Sequence, residues 1–222
     1  MPSTSAKRTS ISGSGLERPV SHLPTACCVT PSKRESVAWL YDEEAVDVVR
    51  FFTRLKARLM PYIYKISVNA SVTGVPTMRS MVLEFTGDKT CHYLDKQYML
   101  GDSLLVAPIF NDRGIAEYYL PKGTWTNFFT GEEKEGGCWI TEKHGYMSIP
   151  LMVRENSVVA LGAHDDKPDY HYGDGAELRL YCLKDEKEAF CVVYDMDGSE
   201  KIVMTAKRDG NQLQIAASPR VV

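Results

Sequence analysis

The sequence predicts an α+β fold in which one long helix and one buried strand precede antiparallel β-sandwich domains. Two observations lead to this prediction. Apolar residues recur with helical spacing between residues 43 and 73, and short apolar segments separated by turn residues follow from residue 104 onward. A length of 222 residues with 44% hydrophobic residues is sufficient to bury the cores of such domains.

The N-terminal segment, residues 1–36, is dominated by Ser, Thr, Pro, Gly and basic residues. It has no apolar periodicity that could offset the entropy of ordering the chain. We therefore predict that this segment is disordered and that order begins after it.

The long helix is predicted to begin after Asp42, which is a favourable N-cap residue followed by two acidic residues. Pro61 lies inside the pattern and should kink the helix near Ala57, and Gly74 should end it. The apolar positions step by three and four and form one stripe that must pack against a larger body. The stripe consists of Val46, Val49, Phe52, Leu55, Leu59, Tyr62 and Ile66.

Residues 75–85 contain mostly large apolar side chains and are predicted to form a buried strand. A helix beside a buried strand indicates α/β layering, but one such unit cannot close a sheet. The sequence therefore indicates a truncated α/β unit whose helix stripe has no partner in this chain. Exposed apolar surface of that kind leads us to expect oligomerisation or aggregation.

The remaining sequence has the pattern of antiparallel β-sandwiches. Asp197-Gly198 and Asp209-Gly210 provide hairpin turns, and the polar run at residues 163–168 predicts a break between two small sandwiches. The predicted domains are residues 1–36, 37–97, 98–162 and 163–222. Strands are predicted at residues 104–110, 117–120, 125–129, 148–154, 158–161, 178–183, 190–194, 201–206 and 212–217.

Composition argues against several classes of partner. The net charge is −3, with 26 basic and 29 acidic residues mixed along the chain, so no basic surface for nucleic acid or membrane is predicted. No apolar segment has the length of a membrane helix or signal core, and we expect a cytoplasmic location. The six cysteines include no C-x-x-C pair, which favours reduced thiols over disulfides or a zinc site. A cross-strand pair of Cys182 and Cys191 is the alternative.

Acid–base catalysis by paired carboxylates needs two acidic side chains that face each other, and the sequence offers no such catalytic pair. Asp102 precedes a buried segment and is interpreted as a turn-capping residue. The five histidines are too scattered for a metal site, and the glycine-rich segments lack the strand-to-helix setting of a phosphate loop. No metal or cofactor is predicted.

Aromatic side chains are the remaining candidates for ligand contact, because exposed aromatic faces can stack on the apolar faces of a ligand. Most aromatic residues in small sandwiches belong to the core. Trp139 and Tyr170 are flanked by polar loops and are predicted to be the exposed exceptions.

Several motifs occur in an order and spacing that resemble the C-terminal part of glycoside hydrolase family 31, especially its α-xylosidase branch. The resemblance runs from about residue 39 to residue 208. Residues 142–148 and 167–170 resemble the α-xylosidase branch in particular. The other motifs are WLYDEEAVDVVRFF at 39–52, RLMPYIY at 58–64, GVPTMR at 74–79, VLEF at 82–85, YMLGDSLLVAPI at 98–109, YLPKGTWT at 119–126 and IPLMVR at 149–154.

The resemblance implies that residues 37–97 are the last helix and strand of a catalytic (β/α)8 barrel, followed by a proximal sandwich and the start of a distal one. It also implies retaining hydrolysis of terminal α-linked xylose or glucose in oligosaccharides by two aspartates on earlier barrel strands, which this chain lacks. Ser21-His22 is the only match to the family's sugar-contacting histidine. The alternatives are a non-catalytic carbohydrate-binding β-sandwich and a chain without function.

Overall fold

The computed structural model describes residues 42–219 of the chain. Four helical segments precede most of the strands. They are α1 (Glu43–Arg58), α2 (Met60–Thr73), the single turn α3 (Met81–Glu84) and a 3-10 helix (Lys89–Tyr93). The N-terminal segment that was predicted to be disordered lies outside the described residues.

Helix α1 begins where the sequence predicts, because the Asp42 side chain accepts a hydrogen bond from the Ala45 backbone N–H at 2.8 Å. The predicted kink is also present. Leu59 separates α1 from α2, and Pro61 occupies the first turn of α2, where its missing N–H is not needed. Gly74 ends α2 with a φ of +75°.

Thirteen strands follow the order of the chain, and every pairing among the described residues is antiparallel. The first seven are β1 (Met78–Ser80), β2 (Tyr98–Leu100), β3 (Leu104–Val106), β4 (Ile115–Leu120), β5 (Thr124–Asn127), β6 (Glu133–Glu135) and β7 (Cys138–Lys143). The others are β8 (Leu151–Arg154), β9 (Ser157–Leu161), β10 (Glu177–Tyr181), β11 (Glu188–Tyr194), β12 (Glu200–Asp209) and β13 (Gln212–Pro219).

The strands form four sheets. The largest has the order β1-β2-β3-β8-β5-β6, and β4 pairs with β7 in a second sheet. Strand β9 pairs with β10, and β11, β12 and β13 form the last sheet. The described chain is therefore mostly antiparallel β-structure with few helices, and this confirms the β-sandwich part of the predicted fold class.

The alternation of side chains along β3 shows how the first sheet is covered on both faces. Leu105 belongs to the core shared with the β4–β7 sheet, together with Trp125 and Tyr118. Leu104 and Val106 point the other way, into a core shared with α1 and α2. The first half of the described chain is thus a sandwich with a helical layer on its outer face.

Strand β9 connects the two halves of the described chain. All five of its residues are buried. Val159 and Leu161 belong to the helix-facing core, whereas Val158 and Ala160 belong to the core formed with β11 and β12. Because β9 precedes the predicted break at residues 163–168 and pairs with β10 beyond it, the two predicted sandwiches are joined by a shared pair of strands.

The expectation that the helix stripe lacks a partner is wrong. Phe52, Leu59, Tyr62 and Ile66 are buried and share one core with Leu104 and other apolar residues of the first sheet. The sequence did not indicate this contact because the covering strands lie more than thirty residues further along the chain.

The strand predicted at residues 75–85 is also largely wrong. Only Met78–Ser80 is extended, and it lies at the edge of the first sheet, antiparallel to β2. The chain then turns into α3, which leaves Val82 and Leu83 exposed. The Arg79 and Glu84 side chains pair across this bend at 2.9 Å, which favours the turn over continued extension.

No helix within residues 42–219 combines the length and the apolar character needed to cross a membrane.

Candidate functional site

Three carboxylates of the described chain, those of Asp102, Glu84 and Asp195, interact with neighbouring polar or charged groups. Asp102 lies in the turn between β2 and β3 and accepts a hydrogen bond from Ser103 Oγ at 2.8 Å. Burial acts to raise the pKa of Asp102, but the Lys65 charge, the Ser103 hydroxyl and its own backbone N–H outweigh burial and lower it. A carboxylate that stays ionised at neutral pH cannot act as a general acid, and the turn-capping interpretation agrees with this geometry.

Glu84 and Asp195 also interact with neighbouring side chains. Glu84 accepts hydrogen bonds from Arg79 Nη1 and Arg154 Nη1, both at 2.9 Å. Asp195 is buried and lies 3.0 Å from His171 Nδ1. These pairs hold neighbouring segments together, and they do not place two carboxylates on opposite sides of a common cleft.

A hydrogen-bonded group of Ser, His and Glu side chains lies at the end of β7 and was not recognised from the sequence. His144 Nδ1 is 2.9 Å from Ser148 Oγ, and His144 Nε2 is 3.2 Å from Glu142 Oε2. Glu142 is also paired with Lys134 and accepts a hydrogen bond from Tyr118. Because neither of the two cavities described below reaches these side chains, we interpret the group as a structural network.

Within residues 42–219, no three His, Cys, Asp or Glu side chains come close enough together to hold a metal ion. His22, the predicted sugar-contacting residue, lies outside the described residues.

Tyr170 is buried, so the prediction that it is an exposed aromatic is wrong. Its hydroxyl donates to the Ala57 carbonyl at 2.8 Å, and its ring lies edge-on to Tyr172 with centroids 5.0 Å apart. The polar loop that carries Tyr170 folds back onto the end of α1, which buries the ring while satisfying its hydroxyl. Tyr170 therefore cannot stack on a sugar in this conformation.

Trp139 is 53% exposed on β7, as the sequence predicts. Its ring lies 5.7 Å from that of Tyr119, which supports one face and leaves other indole surface available. The exposed indole borders a groove with a volume of about 410 Å³. We call this the Trp139 groove, and its lining residues are Tyr93, Leu94, Asp95, Lys96, Gln97, Pro108, Phe110, Asn111, Ile115, Ala116, Glu117 and Trp139.

Two side-chain amides fix the loops of the Trp139 groove. Gln97 is buried, donates from Nε2 to the Tyr119 carbonyl at 2.7 Å and accepts from the Tyr119 N–H at 2.8 Å. Asn111 accepts from the Ile115 N–H at 2.9 Å and donates to the Ile115 carbonyl. Each amide thus replaces a missing strand partner, which holds the groove walls against β4.

The groove combines exposed aromatic surface with polar side chains. Tyr93 is 88% exposed and Phe110 is 55% exposed, so aromatic surface is available besides Trp139. Polar side chains such as Asn111 and Glu117 lie along the same groove. Aromatic faces stack on the apolar faces of sugar rings, while polar groups bind the hydroxyls.

Sequence reasoning missed Tyr93 and Phe110 as groove residues. Phe110 was predicted to be the end of a buried strand, but that strand ends at Val106, and Pro108 leads the chain away from the sheet. Both aromatics adjoin polar segments, which is the same signal that singled out Trp139.

Comparison with known proteins identifies the relatives of this chain. Residues 74–159 match the model of the glycosyl hydrolase family 31 C-terminal domain. Residues 171–221 match the model of the C-terminal domain of the α-xylosidase YicI. The two matches together span most of the described strands.

Curated relatives include an α-xylosidase from Emericella nidulans, 35% identical over 75% of this chain and 22% of that protein. The α-xylosidase XylQ from Lactiplantibacillus pentosus is 35% identical over 81% of this chain and 24% of that protein. The chain therefore spans less than a quarter of the length of these two relatives.

Among solved structures, a Flavobacterium johnsoniae GH31 dextranase complexed with glucose superposes with a TM-score of 0.74 at 26% identity. The match covers 86% of this chain and 26% of the dextranase. A mutant of the same dextranase was solved in complex with isomaltotriose.

Proposed function

Because the chain belongs to glycoside hydrolase family 31 through its C-terminal domains, we propose that it is the non-catalytic C-terminal part of a retaining α-xylosidase. In this proposal, the complete enzyme releases terminal α-linked xylose from oligosaccharides. The observation that carries the choice of sugar is the match of residues 171–221 to the C-terminal domain of an α-xylosidase. Two curated relatives at 35% identity, both α-xylosidases, support the same choice.

We propose that the catalytic carboxylates lie on a (β/α)8 barrel outside this chain. The partners of Glu84, Asp102 and Asp195 support this, since each carboxylate is held by hydrogen bonds or charges at its own location. Removal of a nucleophile and a proton donor together leaves no route for the two-step retaining reaction. The described chain would then contribute structure and not chemistry.

Helices α1 and α2 are the proposed link to the barrel. Their inner face shares a core with the first sheet. The C-terminal-domain model begins at residue 74, directly after α2, which favours assigning only the helices to the barrel and β1 to the sandwich. Exposed apolar residues near the end of α2, Val72 and Val75, are suited to contact with the rest of such an enzyme.

Hydrolysis of aryl α-xylosides and aryl α-glucosides tests the proposal. The folded chain alone is expected to show no turnover, whereas a complete family 31 enzyme provides the positive control.

A second candidate function is carbohydrate binding by the Trp139 groove, favoured by the three exposed aromatics described above. Isothermal titration with isomaltose or an α-xylosyl oligosaccharide tests it. Trp139→Ala should weaken binding by about 5- to 150-fold if the indole contributes as much as an aromatic side chain does to the stacking of a nucleobase, which is on the order of 1–3 kcal/mol. Tyr146→Ala is the matched control, since Tyr146 is 45% exposed and does not line the groove. Equal loss in both variants would contradict a site at Trp139.

A further inference from the structure

A second cavity, of about 500 Å³, lies where α2 meets the turn between β2 and β3, the turn between β8 and β9, and strand β11. We call it the Lys65 crevice. It shares no lining residue with the Trp139 groove. Its lining residues are Lys65, Asn69, Asp102, Ser103, Arg154, Glu155, Asn156, Ser157, Val158, Phe190, Val192 and Tyr194.

Lys65 occupies a position on α2 that the helical pattern would assign to the core. Its neighbours Tyr62, Ile63 and Ile66 are buried apolar or aromatic residues, and Lys65 itself is only 7% exposed. Within residues 42–219 Lys65 has no direct hydrogen bond or close ion pair, although its charge acts on Asp102 and lowers the pKa of that carboxyl. Buried charged groups are normally paired because desolvation is costly, so a buried ammonium with no direct hydrogen bond is suited to an acceptor that a ligand brings into the cavity.

Asp102 supplies the opposite charge in the same crevice. Asp102 interacts with Lys65 through charge and not through a direct hydrogen bond, and its contact with Ser103 uses only part of its capacity to accept hydrogen bonds. The two groups therefore present an unfilled donor and an acceptor to the same space.

The other charged side chains of the crevice are already occupied. Arg154 donates to Glu84 at 2.9 Å. Glu155 accepts from the Thr124 N–H at 2.8 Å and lies 3.8 Å from Lys184. The two remaining charges, on Lys65 and Asp102, sum to zero. An anionic ligand would meet carboxylates here and a cationic ligand would meet Lys65 and Arg154, so a neutral ligand fits best.

Phe190 lines the crevice and is 55% exposed. Its ring therefore forms an apolar wall at the rim that a ligand can contact. A hydroxyl group can both accept from an ammonium and donate to a carboxylate, whereas an aromatic wall favours a ligand with an apolar face. A pyranose sugar has all three properties.

We propose that the Lys65 crevice binds a neutral polyhydroxylated ligand of the monosaccharide class. One ligand hydroxyl accepts a hydrogen bond from Lys65 Nζ, another donates to the Asp102 carboxylate, and the sugar ring packs against Phe190. This inference is independent of the proposed enzyme activity and of the Trp139 groove.

Titration of the full chain with D-xylose and D-glucose, followed by isothermal calorimetry or ligand-observed NMR, tests the proposal. Saturable binding is expected. Lys65→Met should weaken it about tenfold or more, since Met fills the same space without a donor. Phe190→Ala changes a residue that is 55% exposed, and it should weaken binding as well. Trp139→Ala is the control that leaves the crevice intact and should retain binding.

Three results would overturn the proposal. The first is no saturable binding of either sugar up to about 100 mM, well above a millimolar dissociation constant. The second is binding that survives both Lys65→Met and Phe190→Ala. The third is sugar binding lost only in Trp139→Ala, which would assign the sugar to the groove. Circular dichroism of each variant shows whether it is folded, and sulfate serves as the anionic comparison, for which no binding is expected.

Discussion

Replacing Gly101 with alanine is expected to disturb the contact between helix α2 and the turn that joins β2 to β3. Gly101 has a φ of +69°, and a Cβ at this position would lie 2.5 Å from the Tyr62 hydroxyl oxygen and 2.7 Å from Ile66 Cγ2. Tyr62 cannot move without loss, because its hydroxyl donates to the Leu100 carbonyl at 2.6 Å and accepts from the Ser103 N–H at 3.3 Å.

The expected cost has two parts. The left-handed backbone conformation costs a non-glycine residue about 1–2 kcal/mol. Displacement of Tyr62 removes two buried hydrogen bonds worth about 1 kcal/mol each. The Gly101→Ala variant should therefore lose about 3–4 kcal/mol of unfolding free energy, which corresponds to a fall in Tm of roughly 6–16 °C for a domain of this size.

Gly74→Ala is the matched control. Gly74 has a similar φ of +75°, but a Cβ there meets no atom within 4 Å. The control should lose only the backbone part, about 1–2 kcal/mol. Urea unfolding followed by circular dichroism measures both variants. Equal losses in the two variants would refute the close packing of α2 against the turn.

Two further predictions concern a half-buried carboxylate, Glu84, and a buried one, Asp195. Glu84→Gln removes the charge shared by two arginines and should cost about 1–2 kcal/mol at low ionic strength, less in high salt, as measured by urea unfolding at two salt concentrations. A variant as stable as the parent would show that this network contributes nothing. Burial raises the pKa of Asp195, but the Met196 backbone N–H, His171 and Lys201 outweigh it and lower the pKa. An aspartate whose pKa is lowered in the folded state stabilises the fold at pH values above its ordinary pKa of about 4. This stabilisation is lost as the pH falls through the pKa of the folded state. Asp195→Asn should therefore be destabilising at pH 7, and thermal unfolding from pH 7 to pH 3 should show the difference from the parent shrinking. A constant difference across that range would contradict this assignment.

Features determined by local interactions could be predicted from the sequence. Asp42 begins α1 and Gly74 ends α2 because capping depends on the residue and its immediate neighbours. Gly198 and Gly210 have positive φ in the predicted hairpin turns for the same reason.

Features determined by contacts between distant parts of the chain could not be predicted from the sequence. Strand β7 (Cys138–Lys143) was not predicted, because it is exposed along most of its length and its sequence lacks apolar alternation. The partner of the helix stripe was also missed, since periodicity shows that a face is apolar but not which strands cover it.

The candidate sites show the same limit. Trp139 was identified because polar neighbours indicate exposure, but the same signal failed for Tyr170, whose loop folds back onto α1. Lys65 was not identified as a site residue from the sequence. Its burial beside Asp102 depends on the turn after β2 and on β11, which no local pattern connects to α2.

The central claim is that this chain is a non-catalytic part of a family 31 α-glycosidase. The most direct test is prolonged hydrolysis of an aryl α-xyloside and an aryl α-glucoside by the purified chain, with circular dichroism to establish folding and a complete family 31 enzyme as positive control. We expect no release of the aryl group above background from either substrate. Sustained turnover that follows the concentration of the chain would contradict it and would direct attention to Asp102 and Glu84.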